Sequence, residues 1–143
     1  MRKYQITRAA ELEALPVLRE FIEKACFGYP EITEEAVYDL KLSVDEACTN
    51  IITHGYAGMN PGSLIVALEI SGAQVTMRIT DFGHSFEPSS APRPDLEAAL
   101  EDRPMGGFGL FFIYETMDEV DYQTSEDGNC LTLVKRINKA VEK

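Results

Sequence analysis

Basic residues are scarce in this chain. Of its 143 residues, 13 are Lys or Arg and 24 are Asp or Glu, a net charge of −11 with a pI of about 4.6. Nucleic acids and anionic membranes repel such a surface unless basic residues cluster locally. Here they are scattered, which excludes a general binder of either polyanion. Long apolar runs are missing too. The longest strongly apolar stretch, Leu110 to Ile113, is far too short to span a bilayer. The opening MRKYQITRAAELE carries basic residues but no apolar signal-peptide core. Cysteine is sparse: Cys26, Cys48 and Cys130 are odd in number and widely spaced, with no CxxC pair and no zinc spacing. Reduced core thiols are the expectation. No internal repeat or low-complexity tract is present. These absences lead to the expectation of a cytoplasmic protein without direct nucleic-acid or membrane partners. The length suits one domain, residues 1–143, able to bury a real core.

What is present reads as a definite order of elements. Residues 2–7 suit a short strand. Residues 11–26 place Leu12, Leu15, Leu18, Phe21, Ile22 and Ala25 at helical spacing, with Pro16 in the tolerant first turn. Gly28, Tyr29 and Pro30 end that pattern. The next helix has Thr33 as N-cap, Glu34 and Glu35 at the positive end of the dipole, and a staple between Ile32 and Val37. Its apolar face is Val37, Leu40, Val44, Ala47, Cys48 and Ile51, and it should end near His54-Gly55. Two alternating runs, 63–71 and 74–80, flank Gly72-Ala73, which suits a two-residue hairpin with Gly first. A Pro/Ser-rich stretch follows to Pro104, with a short helical piece at 95–101, and residues 105–118 read as a glycine loop opening a helix. Residues 119–125 and 129–137 form a second hairpin around Glu126-Asp127-Gly128. Hairpins segregated from helices predict an α+β two-layer sandwich: a mostly antiparallel sheet with helices on one face.

Three places can carry chemistry. Asp39, Ser43, Glu46, Asn50 and His54 recur at spacings of three and four along one side of the long helix. Most amphipathic helices have such a solvated face. Asn50, however, is a mediocre helix former in a helix interior, and Glu46 lies one turn before it. A carboxylate beside a carboxamide oxygen can set a proton acceptor next to a hard cation. The second place is Asp81-Phe82-Gly83 at a strand end, where a carboxylate can face a pocket while the backbone turns; an ordinary turn has the same composition. The third is Gly106-Gly107-Phe108-Gly109, which lets phosphate approach the N–H groups of a helix start, or serves as a hinge. The long segment between the last two has the character of a lid.

Taken together, these boxes resemble those of the GHKL ATPase superfamily. Glu46-Ala47-Cys48-Thr49-Asn50 is similar to the ExxxN box, Asp81 to Phe86 to the DxGxxF box, and Gly107-Phe108-Gly109-Leu110 to the second glycine box, in the family's order. Within that group the chain looks most like the bacterial anti-sigma factor serine-protein kinases, through Asn50…His54-Gly55-Tyr56, DFGHSF and GGFGLFFIYETMD. The resemblance implies the Bergerat-type ATP-binding fold with an ATP lid at about 87–105. It implies ATP and Mg²⁺ as cofactors and assigns roles by position. Glu46 is the catalytic base for a Ser or Thr hydroxyl, and Asn50 the Mg²⁺ ligand. Asp81 is the acceptor for the adenine amino group, and Gly83 the point where the chain passes the base. Gly107 and Gly109 are the phosphate-binding backbone. Arg103 is a candidate γ-phosphate partner by charge and place.

The chain departs from the family at two points. Asn129 and Cys130 stand where a Thr pair often follows the last turn glycine, with Thr132 further along the strand, and Gly55 stands where Ala is usual. The function implied is an ATP-dependent protein serine/threonine kinase acting as an anti-sigma factor-like regulator. It would phosphorylate a STAS-type antagonist, bind a sigma factor or similar target, and form a homodimer. The alternative is an ATP-binding interaction module without phosphotransfer. Glu46 distinguishes the two, since a pure binder needs no base beside the metal site.

Overall fold

The computed structural model describes residues 2–56, 58–60, 62–84 and 113–137. Five strands form one sheet: β1 (Arg2–Ala9), β2 (Ser63–Ile70), β3 (Gln74–Asp81), β4 (Glu119–Ser125) and β5 (Gly128–Arg136). Their order is β1-β2-β3-β5-β4, and every neighbouring pair is antiparallel. Two helices, α1 (Ala14–Phe27) and α2 (Glu34–Asn50), share one apolar core with the sheet. The expected α+β architecture is the one observed.

Alternation in the strands decides which face meets the helices, because successive side chains point to opposite sides. Leu64, Val66, Leu68 and Ile70 of β2 are buried in step with Val75, Met77 and Ile79 of β3 and Leu131 and Leu133 of β5. Leu18 and Ile22 of α1 and Leu40 and Val44 of α2 are fully buried in the same core. Each such side chain contributes about 1.5–3 kcal/mol on leaving water.

The helix boundaries follow from local chemistry. Thr33 Oγ1 accepts the N–H of Ala36 at 3.1 Å, so the N-cap of α2 is the expected one. Ile32 is buried and Val37 half-buried at the core edge, as a staple requires. The expected start of the first helix is corrected. Residues 11–13 form tight turns, with the N–H of Ala14 bonded to the carbonyl of Glu11 and that of Leu15 to Leu12, and α1 begins only at Ala14. Leu12 therefore sits outside the apolar stripe, 56% exposed.

The expected long helix runs to Gly55, but its last turn differs. Ile51–Gly55 is a π-helical turn closed by the N–H of Tyr56 on the carbonyl of Ile51. One extra residue in the turn redirects the chain at the end of α2. The first hairpin has the expected two-residue loop, closed by Ser71 N–H on the Gln74 carbonyl. Gly72 does not take a positive φ there, so this turn does not depend on glycine. The second hairpin does: Gly128 has φ +125°, and a Cβ on it would lie 2.8 Å from the Asp81 carbonyl oxygen.

Residues 113–116 are helical and bury Ile113 against the core, with Met117 following. The helical piece at 95–101 and the lid at about 87–105 lie outside the described residues. Among the described residues, no helix is long and apolar enough to cross a membrane.

Candidate functional site

The polar stripe of α2 divides into parts with different work. Asp39 is committed to structure. Its Oδ2 accepts from Lys135 Nζ at 2.9 Å, and the same ammonium donates to the Thr116 carbonyl at 2.6 Å. That contact ties α2 to β5 and to the last of the helical residues 113–116. Ser43 is buried. Glu46 is half-buried, and burial, with Asp45 beside it as the lesser cause, pushes its carboxyl above the ordinary range. A carboxylate held in this way is a stronger proton acceptor than one in water. Asp45 itself is paired with Arg19 of α1.

Asn50 lies one turn beyond Glu46 and is buried. The two meet, but through the backbone: Asn50 Nδ2 donates to the Glu46 carbonyl at 2.8 Å. This bond fixes the orientation of the amide. Among the described residues no donor reaches Asn50 Oδ1, so an oriented neutral oxygen acceptor remains. Such an oxygen is a hard-cation ligand. Among the described residues no three His, Cys, Asp or Glu cluster as a metal site. A magnesium ion at Asn50 would take its other ligands from phosphate and water, which is its usual preference.

The second part lies at the ends of β3 and β5. Asp81 ends β3 and is 4% exposed. Its Oδ1 accepts from Gly83 N–H at 2.9 Å and from Asn129 Nδ2 at 3.0 Å. No donor among the described residues reaches Oδ2. The DFG turn is therefore built as an Asp-centred loop with one carboxylate oxygen engaged and the other open, which fits an incoming N–H donor such as an amino group.

Gly83 is needed for space. A Cβ on it would come 2.3 Å from the Gly55 carbonyl oxygen. The redirected π turn delivers that carbonyl, which also accepts the His84 N–H. A Cβ on Gly55 would lie 3.8 Å from Asp81 Oδ1, so the π turn that follows α2 reaches the end of β3. Tyr56 completes the frame. Its hydroxyl donates to the Ser63 carbonyl at 3.0 Å and accepts the Phe82 N–H at 2.9 Å. Burial raises the Tyr56 hydroxyl above its usual range, which keeps it neutral and able to donate.

Asp81, Gly83 and the end of α2 are thus brought together. Gly107, Gly109 and Arg103 lie outside the described residues. Sequence reasoning missed Asn129 as a partner of Asp81, Lys135 as the partner of Asp39, and the role of Tyr56. Only Asn129 left a signal: it follows the glycine of the last hairpin, at the position where the Thr pair is usual.

Comparison with known proteins identifies the family and the fold. The family model of the histidine kinase-like ATPase domain matches residues 8–135. The chain is 34% identical over 120 residues to the serine-protein kinase RsbW of Listeria monocytogenes, covering 81% of this chain and 73% of that protein. It is 28% identical over 110 residues to an anti-sigma F factor of Clostridium novyi, covering 77% of each. Its fold matches the crystal structure of the RsbU and RsbW domains of Rv1364c from Mycobacterium tuberculosis, with a TM-score of 0.69 at 17% identity over 96% of this chain. The chain spans 33% of that larger chain's length. With the family model covering residues 8–135, most of its length, this chain belongs to the histidine kinase-like ATPase domain family.

Proposed function

We propose that the chain is an ATP-dependent protein serine kinase that works as an anti-sigma factor-like regulator. It phosphorylates a STAS-type antagonist and binds a sigma factor or similar target. It acts in the cytoplasm as a homodimer. The kinase and anti-sigma parts are supported by the names of its relatives.

The roles of its residues are those the family resemblance implies, and the chemistry of the groups suits them. Asp81 Oδ2 accepts from the amino group of adenine, while Gly83 leaves room for the chain to pass. Asn50 Oδ1 holds Mg²⁺. When bound, Mg²⁺ neutralises phosphate charge. Gly107 and Gly109 bring backbone N–H groups to the phosphates, and Arg103 meets the γ-phosphate. Glu46 takes the proton of the attacking hydroxyl. Phosphoryl transfer depends on positioning and charge neutralisation, with a base to orient the nucleophile.

One observation favours transfer over binding alone. Glu46 is half-buried with its carboxyl shifted toward higher pH, an arrangement that costs stability and that a pure binder does not need. The test is transfer of the γ-phosphate to a STAS-type antagonist that binds the chain. Glu46→Gln is expected to bind ATP as the wild type does and to transfer nothing. Transfer at the wild-type rate by that variant removes the base assignment, and absence of transfer by the wild type leaves the binding module as the reading.

A further inference from the structure

Asp81, Asn129 and Thr124 form one rung across three strands. Asp81 of β3 is the direct cross-strand partner of Asn129 of β5, and Asn129 is the direct partner of Thr124 of β4. Side chains of directly paired residues share a face, so all three point to the helix side. Asn129 is 3% exposed, and its amide is fully engaged. Nδ2 donates one hydrogen to Asp81 Oδ1 at 3.0 Å and the other to the Gly83 carbonyl at 3.0 Å. Oδ1 accepts from Thr124 Oγ1 at 2.6 Å. The amide has one possible orientation, because a carboxylate and a carbonyl only accept. Its NH₂ must face Asp81 and Gly83, and Thr124 must donate.

We infer that Asn129 is a positioning residue for the nucleotide base: it clamps the Asp81 carboxylate so that Oδ2 alone is presented to the base, and it does not touch the base itself. This rests on the ATP site proposed above and deepens it. Both amide hydrogens are spent on the DFG turn, so none remains for adenine. The clamp also holds Gly83 through its carbonyl, so one side chain sets the carboxylate and the glycine passage together. Thr124, from the edge strand, fixes the amide. An Asn at this place thus replaces a direct contact with a contact to the residue that makes it.

Asn129→Asp isolates the clamp. The substitution keeps the volume and the acceptor for Thr124 but puts two carboxylates 3.0 Å apart. Such a pair shares one proton. Protonated, the new carboxyl has one hydrogen, which restores the contact to Asp81 but not the one to the Gly83 carbonyl at either pH; ionised, it repels Asp81. Among the described residues, the other titratable groups around Asp81 are the Cys48 thiol, pushed up to about 12, the raised Tyr56 hydroxyl, and His84 three residues on. All three are common to wild type and variant, so the affinity ratio at each pH cancels them.

Binding of Mg·ATP to the full chain is measured by calorimetry at about pH 8.5 and about pH 6, spanning the range where the shared proton is lost and held. Relative to wild type at the same pH, Asn129→Asp is expected to bind roughly tenfold more weakly at the higher pH and to recover to within roughly threefold at the lower. A merely structural role would give weak binding at both. Wild-type affinity at the higher pH, or equal weakness at both, overturns the inference. If Asn129→Asp does not fold at the higher pH, Thr124→Val decides, since Thr124 is exposed and its loss frees the amide. It should bind roughly threefold more weakly at both pH values, and wild-type affinity in this variant overturns the clamp. A wild-type chain that binds no ATP overturns the proposed function along with this inference, whereas intact wild-type binding with an unaffected variant overturns this inference alone.

Discussion

Asp81 and Asn129 face each other across β3 and β5, 48 positions apart in the chain, with Asn129 Nδ2 3.0 Å from Asp81 Oδ1. One carboxylate oxygen is thereby engaged, and among the described residues no donor reaches the other. The rest of the candidate site is arranged around that asymmetry.

Asp81→Asn is expected to fold, because the new amide oxygen can still accept from Gly83 and Asn129 where Oδ1 does now. Its NH₂ then points where Oδ2 was, donor against donor. ATP affinity should fall by about tenfold or more, in line with an unpaired buried polar group. Equal affinities by calorimetry would show that Asp81 does not meet the base.

Glu46 carries a pH signature in stability. Its carboxyl is raised in the folded chain, so its contribution is favourable below its unfolded value near 4.5 and is lost as pH rises through the folded value. At pH 7 the ionised group costs stability. Glu46→Gln should therefore melt slightly higher at neutral pH, by no more than about 0.5 kcal/mol for a partly exposed group. The difference should shrink as pH falls toward 4.5. A gain that grows on acidification would contradict the assigned direction. Because Asp45 is the second cause of the shift, Asp45→Asn should move the acid limb of the transfer rate to lower pH.

The two glycines that meet at the site should respond oppositely to alanine. At Gly83 a Cβ would strike the Gly55 backbone, 2.3 Å from oxygen and 2.7 Å from carbon. Backbone cannot rotate away, so Gly83→Ala should cost about 3 kcal/mol or more and weaken ATP binding. At Gly55 a Cβ finds Ile51 Cγ2 at 3.5 Å and Asp81 Oδ1 at 3.8 Å, ordinary contacts, and φ is not positive. Gly55→Ala, which restores the residue usual in the family, should stabilise by about 0.4–1 kcal/mol. Urea melts of both variants check the pair; equal effects would contradict the packing described.

Lys135 and Asp39 join β5 to α2 with side chains only 14% and 12% exposed. Lys135→Met strands a nearly buried carboxylate and should destabilise by about 3 kcal/mol. The cost should change little with salt, because screening acts poorly on buried charge. Asp39→Leu combined with Lys135→Met should recover most of it. If the double variant is as unstable as the single, the pair contributes something beyond charge satisfaction.

Much of this was legible locally. The Thr33 cap, the buried stripe of α2 and the alternation of β2, β3 and β5 are properties of short windows, and each was found where spacing placed it. The start of α1 was not, because apolar periodicity continues through Leu12 while the backbone there is still turning. Nor was the π turn, since one inserted residue leaves no mark in composition.

The sequence by itself determined the class of the fold and the identity of the chemical groups: a Glu and an Asn one turn apart, an Asp before a glycine turn, a glycine after a hairpin. Spacing along one helix or strand is a local matter, and side-chain periodicity reports it directly. The tertiary structure alone decided which polar groups of those elements are struts and which are left to the candidate site. Asp39 and Glu46 share one stripe, yet Lys135, 96 positions away, claims the first and leaves the second. Asn129 reads as a departure from a pattern, yet strand register sets it on Asp81. Register and helix-to-sheet packing are set by the burial of the whole apolar core, so no short window of sequence contains them.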